Sequence, residues 1–169
     1  MRHPPDVPDR LNWSFLHFDA LSLHDLYDAL ALRCQAFIVE QVAFQDPDGH
    51  DQAAWHLLGR DAAGRLQAYC RVLPPGLHCG EPSIGRVVVA RTARGTGAGW
   101  ELMRHGIAEL QRLWPGAAIR IGAQAHLRAF YEGCGFVVVS EPYLEDGIPH
   151  LKMLRGCRAA AMEGLACGR

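Results

Sequence analysis

The chain has 169 residues, with a hydrophobic fraction of 49%, a charged fraction of 21% and a formal net charge of −1. This composition is typical of a soluble globular protein of one-domain size. It disfavours nucleic acid and anionic membranes as partners, because the chain has no excess of basic residues. No apolar run is long enough for a membrane span, and the prolines and charges of MRHPPDVPDR are unlike a signal peptide. We therefore expect a cytoplasmic protein.

The predicted elements alternate between strands and helices. In chain order, the patterns predict a flexible lead at 1–11, a strand at 12–18, a helix at 22–40 that Ser22 caps, a hairpin around 61–64, a buried strand at 84–90, a helix after the glycine-rich segment, a strand at 118–124, a short helix at 126–136, and final strands at 136–140 and 148–154. This order is typical of a mixed α/β sheet with helices on its faces. We expect one domain over 12–155 and a C-terminal tail over 156–169.

Three alternate glycines, Gly95, Gly97 and Gly99, stand between Arg94 and Trp100, after a predicted strand and before a predicted helix. Glycines at the start of a helix favour an anion site, because unpaired backbone N–H groups and the helix dipole converge there. A P-loop is excluded because the chain has no Gly-Lys pair, and a dinucleotide fingerprint is excluded because its third glycine is missing. A glycine turn without a ligand stays open as the alternative.

The pattern Arg94-x-x-Gly97-x-Gly99 resembles the pyrophosphate loop of the GCN5-related N-acetyltransferase (GNAT) superfamily. FYEGCGF at 130–136 matches a second signature of that superfamily, and Gln124 stands where its members often have asparagine. Further stretches resemble the ElaA-like subfamily, and with them the likeness covers residues from about 12 to 154: LYDALALRCQAFIVEQ, DGHD, HLLG, IGRVVV, AQAHLRAFYEGCGF and EDGIPHLKM.

The resemblance implies a GNAT fold, with a single mixed sheet of six to seven strands splayed in the middle and flanked by about four helices. It also implies transfer of an acetyl group from acetyl-CoA to a primary amine in a ternary complex. The strand before the loop would pair with the pantetheine arm, and the loop would hold the pyrophosphate. The residues implied in cofactor binding are Val87, Val88, Val89, Arg94, Gly95, Thr96, Gly97, Ala98, Gly99, Trp100 and Gln124.

The resemblance further implies that Tyr131 is the general acid that protonates the CoA thiolate, with a backbone N–H near Val88 as the oxyanion donor. On the predicted helix, Phe130 belongs to the apolar stripe and Tyr131 points away from it. The base stays open. Glu40 and His150 are the main candidates, beside His126, Glu145 and a water relay, and a non-catalytic acyl-CoA sensor or interaction module is the alternative function.

The acceptor is expected to approach segments 37–51 and 142–150. Their acidic residues, with no lysine or arginine in either segment, predict an acidic mouth that favours a cationic amine: Glu40, Asp46, Asp48, Asp51, Glu145 and Asp146. The histidine and cysteine spacings match no metal signature, and the absence of a C-x-x-C pair predicts free thiols. Lys152 is the only lysine, which disfavours lysine-dependent catalysis. The sequence leaves a homodimer open.

Overall fold

A computed structural model describes residues 11–42 and 44–156. The eight strands are β1 (Asn12–His17), β2 (Trp55–Arg60), β3 (Leu66–Leu73), β4 (Ser83–Val89), β5 (Ile119–Gln124), β6 (Val137–Val138), β7 (Tyr143–Glu145) and β8 (Ile148–Arg155). The three α-helices are α1 (Leu23–Arg33), α2 (Ala98–Leu113) and α3 (Arg128–Gly133), and a π-helical segment, Cys34–Val39, continues α1. Apart from Leu11 and Gly156, the predicted lead and tail lie outside the described residues.

The strands form one mixed sheet in the order β1-β2-β3-β4-β5-β8-β6, and β7 also pairs with β8. Strand β4 is parallel to β5, with Ser83 opposite Arg120, and no other pair between these two strands is formed in the described part of the chain. This short pairing is what the predicted splay in the middle of the sheet requires. The predicted α/β fold is confirmed, with eight strands where six to seven were expected and three α-helices where about four were.

The chain divides into two compact units. Of the described residues, the first unit holds those up to Arg71 together with Arg86–Leu102, and the second holds Val72–Gly85 with those from Met103 onward. In the first unit, a buried cluster joins α1, the π-helical segment and strands β2 to β4: Ala29, Ala36, Leu58, Tyr69 and Val88. Helical spacing places Met103, Ile107, Leu110 and Trp114 on one face of α2, and Met103 and Leu110 of this face are fully buried.

Helix α1 begins where the sequence predicts. The Ser22 side chain accepts a hydrogen bond from the Asp25 N–H, and the Asp25 carboxylate accepts one from the Ser22 N–H, which completes a capping box. The helix then widens into the π-helical segment, whose end is marked by the hydrogen bond from Glu40 N–H to Gln35 C=O. This widening places Glu40 differently from a continuous α-helix, and π-helical turns are frequent at functional sites.

The segment between the last two predicted strands is a hairpin, whereas we expected a loop. Tyr143 pairs with His150 and Glu145 with Ile148, so that β7 and β8 are joined by Asp146 and Gly147 alone. These two residues have positive φ angles of 49° and 77°, as a type I′ turn requires. The Asp-Gly pair is the usual sequence signal for such a hairpin, and it places Tyr143 beside His150.

Candidate active site

The glycine loop, residues 94–99, leads directly into α2. Gly95 and Gly97 have φ angles of 79° and 95°, which L side chains rarely adopt, and a Cβ at either position would meet no atom within 4 Å. The Gly97 carbonyl accepts hydrogen bonds from the N–H groups of Trp100 and Glu101, which starts the helix. Gly99 lies in the first turn, where N–H groups have no partner within the helix. A ligand can therefore approach this backbone closely.

In the first unit, the Arg94 side chain contacts both the end of β4 and the residue that follows the π-helical segment. Its Nε donates to the Val89 carbonyl at 3.0 Å, and its Nη1 lies 2.8 Å from the Glu40 carboxylate, with 47% of the Arg94 side chain exposed. The hydrogen bond from Arg94 lowers the pKa of Glu40. A carboxylate that is bound to an arginine and has a lowered pKa accepts a proton less readily, which disfavours Glu40 as a base.

Strand β4 enters the loop with Val88 buried in the core of the first unit and with Val87 and Val89 half-buried. Arg86, the residue before them, has a φ of 51°. For a residue other than glycine this left-handed conformation costs about 1–2 kcal/mol. The strand is therefore locally distorted immediately before the residues predicted to pair with pantetheine.

Three arginines and three aspartates of the first unit form an ion-pair network that we call the aspartate–arginine cluster: Arg33, Arg71, Arg86, Asp46, Asp48 and Asp51. The Arg33 side chain, fully buried, donates to Asp46 at 2.8 Å and to Asp51 at 2.9 Å. Arg71, nearly as buried, donates through both terminal nitrogens to Asp48, at 2.7 and 2.6 Å, and also contacts Asp51 at 2.8 Å.

The aspartate–arginine cluster overturns the predicted acidic mouth for this part of the chain. Its three carboxylates are matched by three guanidinium groups, so they offer no net negative charge to an amine. Burial raises the pKa of Asp48 and of Asp51, but hydrogen bonds and charge from the arginines outweigh it, and both pKa values are lowered. Asp48 and Asp51 therefore stay ionised, and their ion pairs connect parts of the first unit.

The arginine partners of the three aspartates are not apparent from the sequence, because they lie 13 to 40 residues away in the chain. Arg33 had a local signal, since it occupies the buried position between Leu30 and Phe37 at helical spacing. Cys34 has helical spacing to the same two residues and, as an apolar side chain, is the one that the sequence favours for the buried face, but it is exposed. Arg71 had a weaker signal, because it lies in the uniformly buried strand β3.

In the second unit, α3 ends in a Schellman motif that positions Tyr131. The Gly135 N–H donates to the Glu132 carbonyl at 2.9 Å, the Phe136 N–H donates to the Tyr131 carbonyl at 3.1 Å, and Gly135 has a φ of 88°. The Tyr131 ring contacts the rings of Phe130 and Phe136 edge to face, with centroids 5.0 and 6.2 Å apart. Tyr131 is the buried residue of this helix, whereas the sequence predicted that Phe130 packs in the core and Tyr131 points away.

The β7–β8 hairpin of the second unit brings His150 beside Tyr143, with ring centroids 5.9 Å apart. His150 also lies opposite Gln124 on β5. The His150 Nδ1 lies 2.9 Å from the Ile148 carbonyl. Because a carbonyl can only accept, Nδ1 carries the proton, and in the neutral ring Nε2 then keeps its lone pair. Glu145, the remaining carboxylate candidate in this hairpin, is exposed, and so is Asp146.

Two further properties concern the described part of the chain. Within it, no helix has the length and apolar character to cross a membrane, and no group of three or more His, Cys, Asp or Glu side chains is placed to hold a metal ion. Four cysteines in this part are free thiols, and the other two lie outside it: Cys34, Cys70, Cys79 and Cys134 are described, and Cys157 and Cys167 are not.

A family model described as the acetyltransferase (GNAT) domain matches residues 37–155. Protein ElaA of Escherichia coli is 41% identical over 148 residues, which cover 86% of this chain and 96% of ElaA. The crystal structure of an acyl-CoA N-acyltransferase from Pseudomonas aeruginosa matches with a TM-score of 0.82 at 44% identity, covering 86% of this chain and 99% of that one. The crystal structure of E. coli ElaA matches with a TM-score of 0.81 at 40% identity, with the same coverage of both chains.

Proposed function

The chain belongs to the GNAT acetyltransferase family, and we propose that it transfers an acetyl group from acetyl-CoA directly to a primary amine in a ternary complex. The observation that carries this proposal is the glycine loop. Two left-handed glycines, an arginine and a helix N-terminus form one open stretch of backbone. A diphosphate fits this arrangement, because it presents several acceptor oxygens and negative charge to N–H groups and to a guanidinium group.

In the proposed complex, the backbone of residues 95–99 binds the pyrophosphate and Arg94 adds its charge. The neighbouring residues Thr96, Ala98 and Trp100 complete the loop and the first turn of α2. The resemblance to the superfamily also implies a role for Gln124 in cofactor binding. Backbone groups of Val87 and Val88 extend the pairing along the pantetheine arm. Since Arg94 occupies the Val89 carbonyl, pairing at Val89 would use its N–H.

Acetyl-CoA supplies the acetyl group as a reactive thioester. The amine must arrive without its extra proton, the carbonyl oxygen must be held as negative charge develops on it, and the departing sulfur must receive a proton. We assign the oxyanion contact to the Val88 N–H and the proton donor to the Tyr131 hydroxyl. The assignment of Tyr131 rests on the FYEGCGF motif.

We favour His150 over Glu40 as the base that takes the amine proton. His150 has one ring nitrogen fixed as a donor to the Ile148 carbonyl, which leaves the other nitrogen suited to accept a proton. Glu40 is engaged by Arg94 and has a lowered pKa. A His150→Ala variant should lose turnover while keeping its affinity for acetyl-CoA, and added imidazole should restore part of that turnover. Unchanged turnover in this variant would remove His150 from the mechanism.

The alternative is an acyl-CoA sensor or interaction module without catalysis. It is favoured by one observation: β4, where some members of the superfamily carry a carboxylate, offers Arg86, which is already paired with Asp46. The test is thiol release from acetyl-CoA across a panel of amines. Catalysis predicts amine-dependent release that falls about 100-fold or more in Tyr131→Phe and is unaffected in Tyr27→Phe, a matched change on the exposed face of α1. A sensor would bind acetyl-CoA and release no thiol with any amine.

A further inference from the structure

Arg86 is the only residue other than glycine that has a positive φ inside a strand of the described chain. The one other such residue, Asp146, lies in a tight hairpin turn, where positive φ is required. Arg86 has no turn to explain its conformation, since β4 runs from Ser83 to Val89. A strained residue persists only where its surroundings hold it in place.

The surroundings that hold Arg86 come from the segment after the π-helical turn. Arg86 Nε donates to the Asp46 carboxylate at 2.7 Å, and its Nη2 donates to the Asp46 carbonyl at 2.9 Å. Its guanidinium also lies over the Phe44 ring, 5.9 Å from the centroid. Asp46 itself is anchored, because its side chain is only 3% exposed and its second carboxylate oxygen accepts from the buried Arg33. The side chain of Arg86 is therefore fixed at its far end.

We propose that Asp46 and Arg86 form a positioning pair: by fixing the Arg86 side chain, Asp46 keeps residue 86 in the left-handed conformation that sets the backbone of Val87–Val89 for pantetheine. The inference rests on the proposed function, since it concerns the same cofactor site. Without the pair, residue 86 would relax to an ordinary strand conformation and rotate the backbone groups that follow it. Arg86 thus acts through the backbone and makes no contact with the acceptor.

The test is a series at one position, Arg86→Gly, Arg86→Asn and Arg86→Ala. All three variants lose the ion pair equally, but they differ in how readily they adopt positive φ, with glycine first, asparagine second and alanine last. Acetyl-CoA affinity, measured by calorimetry, should follow that order, with Arg86→Ala binding about tenfold more weakly than Arg86→Gly. If Arg86→Ala does not fold, the difference between the glycine and asparagine variants still reports the order.

Other roles for Arg86 predict different results. If the ion pair only stabilises the fold, the three variants melt earlier and bind acetyl-CoA equally. If Arg86 contacts the acceptor, all three raise the KM for the amine and leave acetyl-CoA affinity unchanged. Either result overturns the proposal.

A second readout separates this inference from the proposed function. Amide hydrogen exchange at Val87–Val89, measured without any ligand, should be faster in Arg86→Ala than in Arg86→Gly, because glycine adopts positive φ without the pair and alanine does not. This holds even if the protein does not bind acetyl-CoA, in which case the proposed function fails alone. Equal exchange in the glycine and alanine variants would contradict the positioning pair.

Discussion

The glycine loop and the aspartate–arginine cluster lie in the same compact unit and both carry charge, but their charged groups differ in exposure and in how completely they are paired. The loop leaves its backbone open, and its arginine is about half exposed. The cluster matches every carboxylate to a guanidinium, and two of its arginines are almost completely buried. The exposed part of Arg94 in the loop is accessible to a ligand, whereas the arginines and aspartates of the cluster contact one another.

The difference teaches what a charged residue in a sequence can indicate. The glycines act locally, because positive φ and a helix start depend on a few adjacent residues. The aspartates act through partners on α1, β3 and β4, at sequence separations of 13 to 40 residues. An acidic segment is therefore not evidence for an acidic surface until its partners are known.

The largest effect on the free energy of unfolding is expected from removing Arg33, the most buried side chain of the aspartate–arginine cluster. Arg33→Ala removes the fully buried partner of Asp46 and one of the two buried partners of Asp51, since Arg71 stays, and loss of one member of a buried ion pair typically costs about 3–5 kcal/mol. Denaturant unfolding should show this loss in the free energy of unfolding. The control is Arg65→Ala, which removes an exposed arginine paired with Asp61 and should leave stability nearly unchanged. Similar losses of stability in both variants would mean that the buried ion pairs of Arg33 stabilise the fold no more than the exposed pair of Arg65 and Asp61 does.

Protonation of Asp48 in acid should lower the free energy of unfolding by a smaller amount. Because the pKa of Asp48 is lowered in the folded protein, its contribution to stability is fully present above the unfolded pKa of about 4. That contribution is lost as the pH falls from about 4 towards the lowered pKa. The slope cannot exceed about 1.4 kcal/mol per pH unit for this group, and solvent screening reduces it further, since 27% of the side chain is exposed. Urea unfolding at stepped pH measures it, and a slope that Asp48→Asn leaves intact would exclude Asp48 as its source.

The smallest effect concerns Glu40, the one carboxylate among the described residues that forms an ion pair with Arg94. Glu40→Gln keeps a side chain able to accept a hydrogen bond from Arg94 but removes a negative charge beside the proposed pyrophosphate. We expect acetyl-CoA to bind about two- to fivefold more tightly at low ionic strength, with a smaller gain at physiological salt. Calorimetry tests this, with Glu109→Gln on α2 as the control. Weaker binding in Glu40→Gln would show that the Glu40 charge is needed to orient Arg94.

The sequence was most informative where short-range rules decide the structure. The Ser22 cap, the strand before the loop, the left-handed Gly95 and Gly97 and the helix end at Gly135 all depend on neighbours within a few residues. The Asp146-Gly147 hairpin follows the same kind of rule and was predictable, although we expected a loop. The hairpin places Tyr143 beside His150, and this contact could not be predicted while the segment was expected to be a loop.

The rest depended on packing that no local pattern contains. Phe130 and Tyr131 were assigned the wrong way round because α3 is only six residues long. On so short a helix, contact with Phe136 beyond the helix end, rather than an apolar stripe, selects the buried ring. The pairing of Asp46, Asp48 and Asp51 with their arginines could not be predicted either. The helical spacing of Arg33 indicates that it is buried, but nothing in the sequence indicates which carboxylate, 13 to 40 residues away, an arginine contacts.

The central claim, that the glycine loop binds acetyl-CoA, is tested most directly by the thermal shift that acetyl-CoA produces in the original protein, in Gly97→Asp and in Gly64→Asp. Both variants place an aspartate at a left-handed glycine with open space around it, with φ angles of 95° and 79°, so their backbone strain is comparable. The account predicts that acetyl-CoA raises the Tm of the original protein and of Gly64→Asp, since a ligand that binds only the folded state stabilises it, and that the shift disappears in Gly97→Asp. An equal shift in all three proteins, or a shift with ATP or NAD and none with acetyl-CoA, would contradict it.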